Sequence, residues 1–429
     1  MIELGVLADD LTGGMMVASL MVREGVACPL VLSAEALDLA APGAEAVVLA
    51  RKIRLIPPEA AREEARQAAA AFARIGARRL YAKYSALFDS RRDGNIGPIA
   101  EALLEATGAP ATLFCPAYLE RDVTVYQGRL FVRATPLAES FKRNDPATPA
   151  WSSDLVEVLQ SQTQIKVGLI PHKILRDPAA ARARLTGAKG PFQIVDTVNE
   201  EDLTRVAALG LELPLITGAD SLAPALARAW RGGAPPPLSP PRLLGPSPGA
   251  AAVLAGSCAP QTLAQLDAFE ARHPVWRIDL ARDGDDPDLV TRVRAWAGPR
   301  LMEGPVGIAT SAGPEAVRAA QARFGRDGAA ARADAVLGRL ARELFALGVR
   351  KFVIAGGESS GEVLNALGVA RLDVAAYDDL YGGYCRTAAP VAMSFVVKAG
   401  SVGDASFFDL ALARLAEADA APEAFERGL

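Results

Sequence analysis

Residues 351–368 read KFVIAGGESSGEVLNALG. The run Phe352-Val353-Ile354-Ala355 has the length and composition of a buried strand. Gly356 and Gly357 follow at once, then Glu358-Ser359-Ser360-Gly361, and Val363, Leu364 and Leu367 recur at helical spacing. The order is strand, glycine turn, helix, which is the unit of an α/β fold. Paired glycines let the backbone turn tightly and approach a ligand without a side chain in the way. The N–H groups at the helix start, with two serine hydroxyls, suit a phosphate. The stretch fits neither G-x-x-x-x-G-K-S/T nor G-x-G-x-x-G. Taken alone, a plain strand-to-helix turn with glycine for geometry accounts for it equally well.

The neighbouring sequence repeats the pattern. Residues 251–255 read as a strand ending in Gly256-Ser257-Cys258, residues 261–270 as a helix and residues 276–280 as a strand. Residues 306–309 form a strand ending in Thr310-Ser311-Ala312-Gly313, and an alanine-rich helix spans about residues 329–347. Residues 393–397 lead into Lys398-Ala399-Gly400-Ser401-Val402-Gly403-Asp404. Four strands thus end in small polar residues and glycine. One such turn is noise, but four on one sheet edge favour a nucleotide cradle over geometry alone.

Upstream, residues 231–249 break the rhythm with Gly232-Gly233, Pro235-Pro236-Pro237, Pro240-Pro241 and Pro246-Ser247-Pro248. They read as a semi-rigid linker between domains at 1–230 and 250–429. The N-terminal half opens with a strand at 2–7, and Asp9-Asp10 stand at its end. A helix through Val17, Leu20 and Met21 follows, stopped by Gly25, and a strand at 28–32 comes next. Strand, helix, strand implies a parallel sheet, whose ligands sit beyond the carboxyl ends of the strands. Two carboxylates there can orient a hydroxyl, accept its proton or hold a cation. One of them can also cap the helix, but a cap needs only one aspartate.

Further strands are expected at 46–49, 80–83, 111–115, 166–170, 191–195 and 213–216, with helices at 59–76, 99–106 and 153–160. A hairpin at 123–132 turns near Gln127-Gly128. The loop Phe88-Asp89-Ser90 to Gly94-Asn95-Ile96-Gly97-Pro98 is polar and glycine-rich. Arg54 and Lys83 stand near strand ends, where a basic group can hold a carboxylate or phosphate, although a solvated face is the default for any single one.

Composition bounds the rest. The 429 residues allow two or three domains, and a net charge of -4 argues against a nucleic-acid partner. Met1-Ile2-Glu3 runs straight into a strand-like segment without a signal-peptide pattern, and the apolar runs are too short for a bilayer. Cys28, Cys115, Cys258 and Cys385 are scattered, which suits free thiols in a reducing cytoplasm. His172 and His273 are the only histidines, so base chemistry falls to Asp or Glu. A cytoplasmic protein without a membrane partner is expected. A homo-oligomer is compatible with the sequence, which does not set the assembly state.

Together these motifs resemble the four-carbon acid sugar kinase family, over nearly the whole chain and in the family's order. Ala8-Asp9-Asp10-Leu11-Thr12-Gly13 resembles its A-D-D-F/L-T-G signature. Phe88-Asp89-Ser90 with Gly94-Asn95-Ile96-Gly97-Pro98 resembles the F-D-S…G-N-I-G-P loop of the 3-oxo-tetronate kinase branch. Cys115-Pro116-Ala117-Tyr118 is similar to C-P-A-F, and residues 125–132 to V-Y-x-G-H-L-F-V. VLAGSC at 253–258, GGESSG at 356–361 and K-x-G-x-x-G at 398–403 complete the set.

The resemblance implies an α/β protein of two domains, each a mainly parallel sheet flanked by helices, with the active site in the interdomain cleft. It implies an N-terminal domain for the sugar acid, a C-terminal domain for ATP, and phosphoryl transfer with Mg²⁺ to an acid such as 3-oxo-tetronate, erythronate or threonate. Carried over by position, Ser257, Gly356, Gly357, Glu358, Ser359, Ser360, Gly361 and Gly400 are expected at the nucleotide. Asp9, Asp10, Arg54, Asp89, Ser90 and Asn95 are expected at the sugar acid, with Asp10 and Asp89 as the catalytic carboxylates. Metal ligands are not assigned. Asp10 would orient the attacking hydroxyl and Arg54 would clamp the substrate carboxylate.

The departures cluster in the N-terminal half. Gly14-Met15-Met16 stands where the family continues A-T/S-D, and Ala86-Leu87 replace two hydroxyl residues. Arg129 replaces a histidine, Ser152 an aspartate, and Thr217-Gly218-Ala219-Asp220-Ser221-Leu222 stands for T-G-G-S-G-L. Three readings follow. The first is a kinase with a less hydroxylated or more anionic substrate, Arg129 being a new anion ligand. The second is a homologue that binds but has lost catalysis, and the third a non-kinase enzyme on the same scaffold. The survival of Asp9, Asp10, Asp89 and GGESSG favours the kinase.

Overall fold

The computed structural model describes residues 1–145, 147–187, 190–233 and 242–420. The chain divides into two compact units, Met1–Pro240 and Pro241–Leu429. The prolines at 235–237 and 240–241, which carry much of the linker expectation, lie outside the described residues.

In the first unit the strands are β1 (Leu4–Ala8), β2 (Leu30–Val31), β3 (Ala46–Ala50), β4 (Leu80–Lys83), β5 (Thr112–Cys115), β6 (Val123–Tyr126), β7 (Arg129–Val132), β8 (Thr135–Pro136), β9 (Val167–Ile170), β10 (Phe192–Val195) and β11 (Leu215–Gly218). Eight of them line up as β2-β3-β1-β4-β11-β5-β10-β9, every pair parallel. The residues of β1, β3, β4 and β10 are all buried and mostly apolar, as a sheet covered on both faces requires. The helix Pro58–Arg74 shows how a cover forms. Pro58 sets its first turn, and Ala61, Ala65, Ala68, Ala69 and Phe72 repeat on one buried face. The Phe72 ring lies so close to β1 that a Cβ on Gly5 would stand 2.5 Å from it. Residue 5 therefore has no room for a side chain.

The strand expected at 28–32 is reduced to Leu30–Val31. Pro29 just before it has no N–H to add to a ladder. β6, β7 and β8 make a separate antiparallel sheet. Its hairpin turns at Gln127 and Gly128, with φ of 52° and 71°. Positive φ at both positions matches the right-handed twist of the strands. The Asp196 carboxylate, at the end of β10, accepts the N–H groups of Gln127 (2.8 Å), Gly128 (2.9 Å) and His172 (2.9 Å).

The second unit holds β12 (Ala250–Ala255), β13 (Val275–Arg277), β14 (Val306–Ala309), β15 (Val349–Ala355), β16 (Arg371–Val374), β17 (Tyr384–Thr387) and β18 (Met393–Lys398). Their order is β13-β14-β12-β15-β18-β17-β16. The first five are parallel and β17 runs antiparallel to both of its neighbours. The strand expected to reach residue 280 stops at Arg277, because Asp279 caps a short helix, Leu280–Asp283, by accepting the Ala281 N–H. Among the described residues no helix is long and apolar enough to cross a membrane.

Asp196→Ala would leave three N–H donors without their acceptor. By the usual cost of unsatisfied buried donors the first unit should lose about 3 kcal/mol or more of unfolding free energy, read by urea denaturation.

Candidate functional sites

The first site is built at the carboxyl ends of β1 and β4. Asp10 follows β1 and caps the helix Leu11–Arg23, its carboxylate accepting the Gly13 N–H at 2.5 Å. The capping role considered from sequence is thus real for Asp10, and it coexists with a second contact. Arg54, in the segment after β3, grips Asp9 with two parallel bonds, Nε to Oδ2 and Nη2 to Oδ1, both 2.8 Å. The same Nη2 lies 2.5 Å from Asp10 Oδ2. The guanidinium fork therefore sits between the two adjacent carboxylates.

The two aspartates diverge in acidity. Burial pushes Asp9 up, and Arg54 offsets this only in part. Burial also acts to raise Asp10, but Arg54, Lys83 and the Gly13 N–H outweigh it and hold the carboxyl below its usual range. Asp10 is therefore the better ionised of the pair and the better acceptor for a substrate hydroxyl.

Asp9, Arg54, Asp89 and Asn95 line one cavity, together with Lys83, Tyr84 and Thr217. The structure brings these expected residues together but alters some of their parts. Arg54 is not an open clamp, since its fork is already engaged by Asp9 and Asp10. Asn95 donates its amide to the carbonyls of Ile53 (2.8 Å), Arg54 (3.2 Å) and Ile56 (2.8 Å), so it holds the Arg54 segment in place. Asp89 pairs with Lys142 at 2.6 Å. Ser90 lies in an adjoining pocket, where its hydroxyl accepts from Gln162 Nε2 at 2.8 Å. Arg129 is exposed on β7, outside the lining of the Asp9–Arg54 cavity, so the structure does not place it there as an anion ligand.

Two contributors are absent from the sequence-based set, and a third, Lys83, figured there only as a basic group near a strand end. Lys83 ends β4 with its ammonium buried, 2.8 Å from Tyr84 O and 3.4 Å from Asp220. Its strand-end position was the available signal. Burial raises Asp220, with Lys83 opposing. Its only signal was a departure from the family pattern. Lys142, between Asp89 and Asp145, has no motif around it.

The second site lies at the carboxyl ends of β14, β12, β15 and β18, which are sheet neighbours in that order. The four glycine-serine turns are therefore side by side. Ser257 is at their centre. A Cβ on Gly400 would stand 2.1 Å from Ser257 Oγ, and one on Gly356 would stand 3.2 Å from Ser257 N. Gly356 has φ of 126°, open only to glycine, and helix Gly357–Ala366 starts directly after it.

That start changes the role of the serines. Glu358, Ser359 and Ser360 form the first helical turn, not a loop. Ser360 donates its hydroxyl to Gly356 O and Ser359 to Asp334, each at 2.7 Å. The hydroxyls point into the fold, so the phosphate donors on offer are the backbone N–H groups of the first turn. Gly361 has open space where a Cβ would be. Lys398, at the end of β18, lies 3.2 Å from Thr262 Oγ1 and 3.2 Å from Gly400 O. Burial lowers its pKa to about 8. Among the described residues no group of three or more His, Cys, Asp or Glu is placed to hold a metal ion.

Two family models match successive parts of the chain. Residues 4–226 match the model of a sugar-binding N-terminal domain and residues 252–408 that of a nucleotide-binding C-terminal domain. A 3-oxo-tetronate kinase of Burkholderia multivorans is 37% identical over 426 residues, covering 96% of this chain and 97% of that protein. One of Methylobacterium radiotolerans is 38% identical, covering 97% and 100%. A crystal structure from Salmonella typhimurium LT2 superposes with a TM-score of 0.81 at 30% identity, covering 95% of this chain and 98% of that one. Protein HI1011 of Haemophilus influenzae does so with a TM-score of 0.78 at 27% identity, covering 96% and 100%.

Arg54→Met would strand two carboxylates without their counter-charge. Unfolding free energy at neutral pH should fall by about 3–5 kcal/mol. Asp9 already has a raised pKa, and losing Arg54 raises it further, so the penalty is full above that pKa and shrinks as acid protonates the carboxyl. Urea titrations of both proteins from pH 7 down to pH 4 should show the gap narrowing.

Proposed function

Since the chain belongs to the four-carbon acid sugar kinase family, we propose that it transfers the γ-phosphoryl group of ATP to a hydroxyl of a small sugar acid. The substrate class is 3-oxo-tetronate, erythronate or threonate. In this reading residues 1–230 hold the acid, 231–249 link, and 250–429 bind the nucleotide. The observation that carries it is the buried Asp9–Arg54–Asp10 constellation at the strand ends of the unit matched by the sugar-binding model.

Phosphoryl transfer asks for positioning and charge neutralisation more than for covalent help. Asp10, ionised and fixed by the Gly13 N–H and Arg54, orients the attacking hydroxyl and accepts its hydrogen bond. Asp9, raised by burial and doubly bonded to Arg54, serves as the strut that fixes the fork. Asp89, paired with Lys142, is the second catalytic carboxylate beside Asp10. With the Arg54 fork engaged, the cations nearest to hand for the substrate carboxylate are Lys83 and Lys142. On the nucleotide side the first-turn N–H groups after Gly356, with Lys398, face the phosphates. Mg²⁺, when bound with ATP, would neutralise phosphate charge and would be held mainly by the phosphates and water.

A second reading, ligand binding without turnover, draws on Met15 and Ala86. Both are packed into the core, 2% and 8% exposed, at positions where the resemblance carries hydroxyl residues.

Two measurements test the proposal. Purified protein with ATP·Mg²⁺ and each acid should release ADP with one of them, and Asp10→Asn should lower kcat by about a hundredfold or more while ATP affinity stays unchanged. ATP binding without turnover on any acid would select the second reading. Lys398 is cationic below its pKa of about 8, so ATP affinity should fall as pH rises through that value. Lys398→Arg, charged throughout, should flatten the profile between pH 7 and pH 9.

A further inference from the structure

We propose that a cavity in the second unit receives the nucleoside half of the nucleotide, with the hydroxyls of Thr310 and Ser311 as its hydrogen-bonding groups. This rests on the nucleotide reading above and goes beyond it by locating the base and sugar.

The cavity has a volume of about 630 Å³ and opens at the carboxyl ends of β12, β13 and β14. That is the size of an ordinary small-molecule site. Gly256 and Cys258, on either side of Ser257, line it, so the turn expected at the phosphates also borders the cavity. Thr310 and Ser311 are each 3% exposed, and neither Oγ has a hydrogen-bond partner. Their backbones are fixed, because both N–H groups donate to Ala255 O, at 2.9 and 3.3 Å. Two buried hydroxyls on a pinned turn, without partners, call for a polar ligand group.

Arg277, Asp279, Arg282, Gln321 and Arg326 also line the cavity, and the remainder of its wall is apolar and small. Ala316 and Ala320 stand one turn apart on helix Pro314–Phe324, and Ala329 and Ala333 one turn apart on helix Arg326–Ala346. Alanine at these four places leaves a slot, which larger side chains would fill. Ile278 and Val317 add further apolar surface. An apolar slot with two hydroxyls takes a neutral, flat heterocycle and a ribose hydroxyl. Two of the arginines in its lining are already paired with carboxylates. Arg277 is paired with Asp267 and Glu270, Arg282 with Asp283, and Glu315 puts a negative charge in the first turn of the adjoining helix.

Cys258 makes the test direct. It is the one exposed cysteine of the four, and it lines the cavity. We would titrate the protein calorimetrically with ATP·Mg²⁺, adenosine and tripolyphosphate, and follow Cys258 alkylation by iodoacetamide. Adenosine and ATP should each slow alkylation. Ala320→Phe, which fills the slot, should weaken ATP roughly tenfold or more and abolish adenosine binding, with tripolyphosphate unchanged. Ser311→Ala keeps the volume and should weaken ATP by about fivefold, which covers the case in which Ala320→Phe fails to fold. ATP binding that is indifferent to both substitutions and leaves Cys258 freely alkylated would overturn this inference and leave the nucleotide reading standing. Absence of ATP binding to the unaltered protein would overturn both.

Discussion

The first unit's site depends on one buried guanidinium. Arg54 reaches between two adjacent carboxylates that would otherwise repel each other in a poorly solvated place. Neither acid is tolerable there alone, and a buried cation without them would be equally costly. The arrangement splits the pair. Asp9 is driven up by burial, while Asp10 is held down because it also meets Lys83 and a helix N–H. Two identical side chains in sequence thus acquire different chemistry from a difference in position of one residue. Asn95 belongs to the same device, since its amide pins the carbonyls around Arg54 and so sets where the fork can be.

The fold was largely legible because its signals are local. Apolar runs of four or five residues, glycine stops and alanine-rich faces report short-range geometry, and the strand–turn–helix at 349–366 is where the residues put it. The shortfalls are local competitions that patterns do not weigh. Asp279 captures a helix start from the end of β13, and Pro29 withholds a donor from β2.

The sites were legible only in part. Asp9, Asp10 and Arg54 were singled out because they stand at or near strand ends, where a parallel sheet collects its ligands, and Asp89 because of the F-D-S motif. The direction of a side chain was not legible. Ser359 and Ser360 read as phosphate ligands until the helix is seen to begin at Gly357, which turns both hydroxyls inward. Arg129 read as a substrate group because of its motif, yet its hairpin belongs to a separate small sheet. Lys142 and Asp220 reach the first site only through tertiary contacts, which spacing in the chain cannot announce. The departures at Met15 and Ala86 are core residues, outside the lining of the Asp9–Arg54 cavity.

The carboxylate of Asp196 has a mechanical consequence. It joins the tip of the β6–β7 hairpin and the segment after β9 to the end of β10. A hairpin tied at its turn cannot swing as a flap hinged at its base. It behaves instead as an outrigger of the sheet edge, moving when β9 and β10 move and still when they are still. That corner is held by one acid that no ligand is asked to touch, beside the backbone bonds of Val125 with Thr197 and of Gly128 with Leu155.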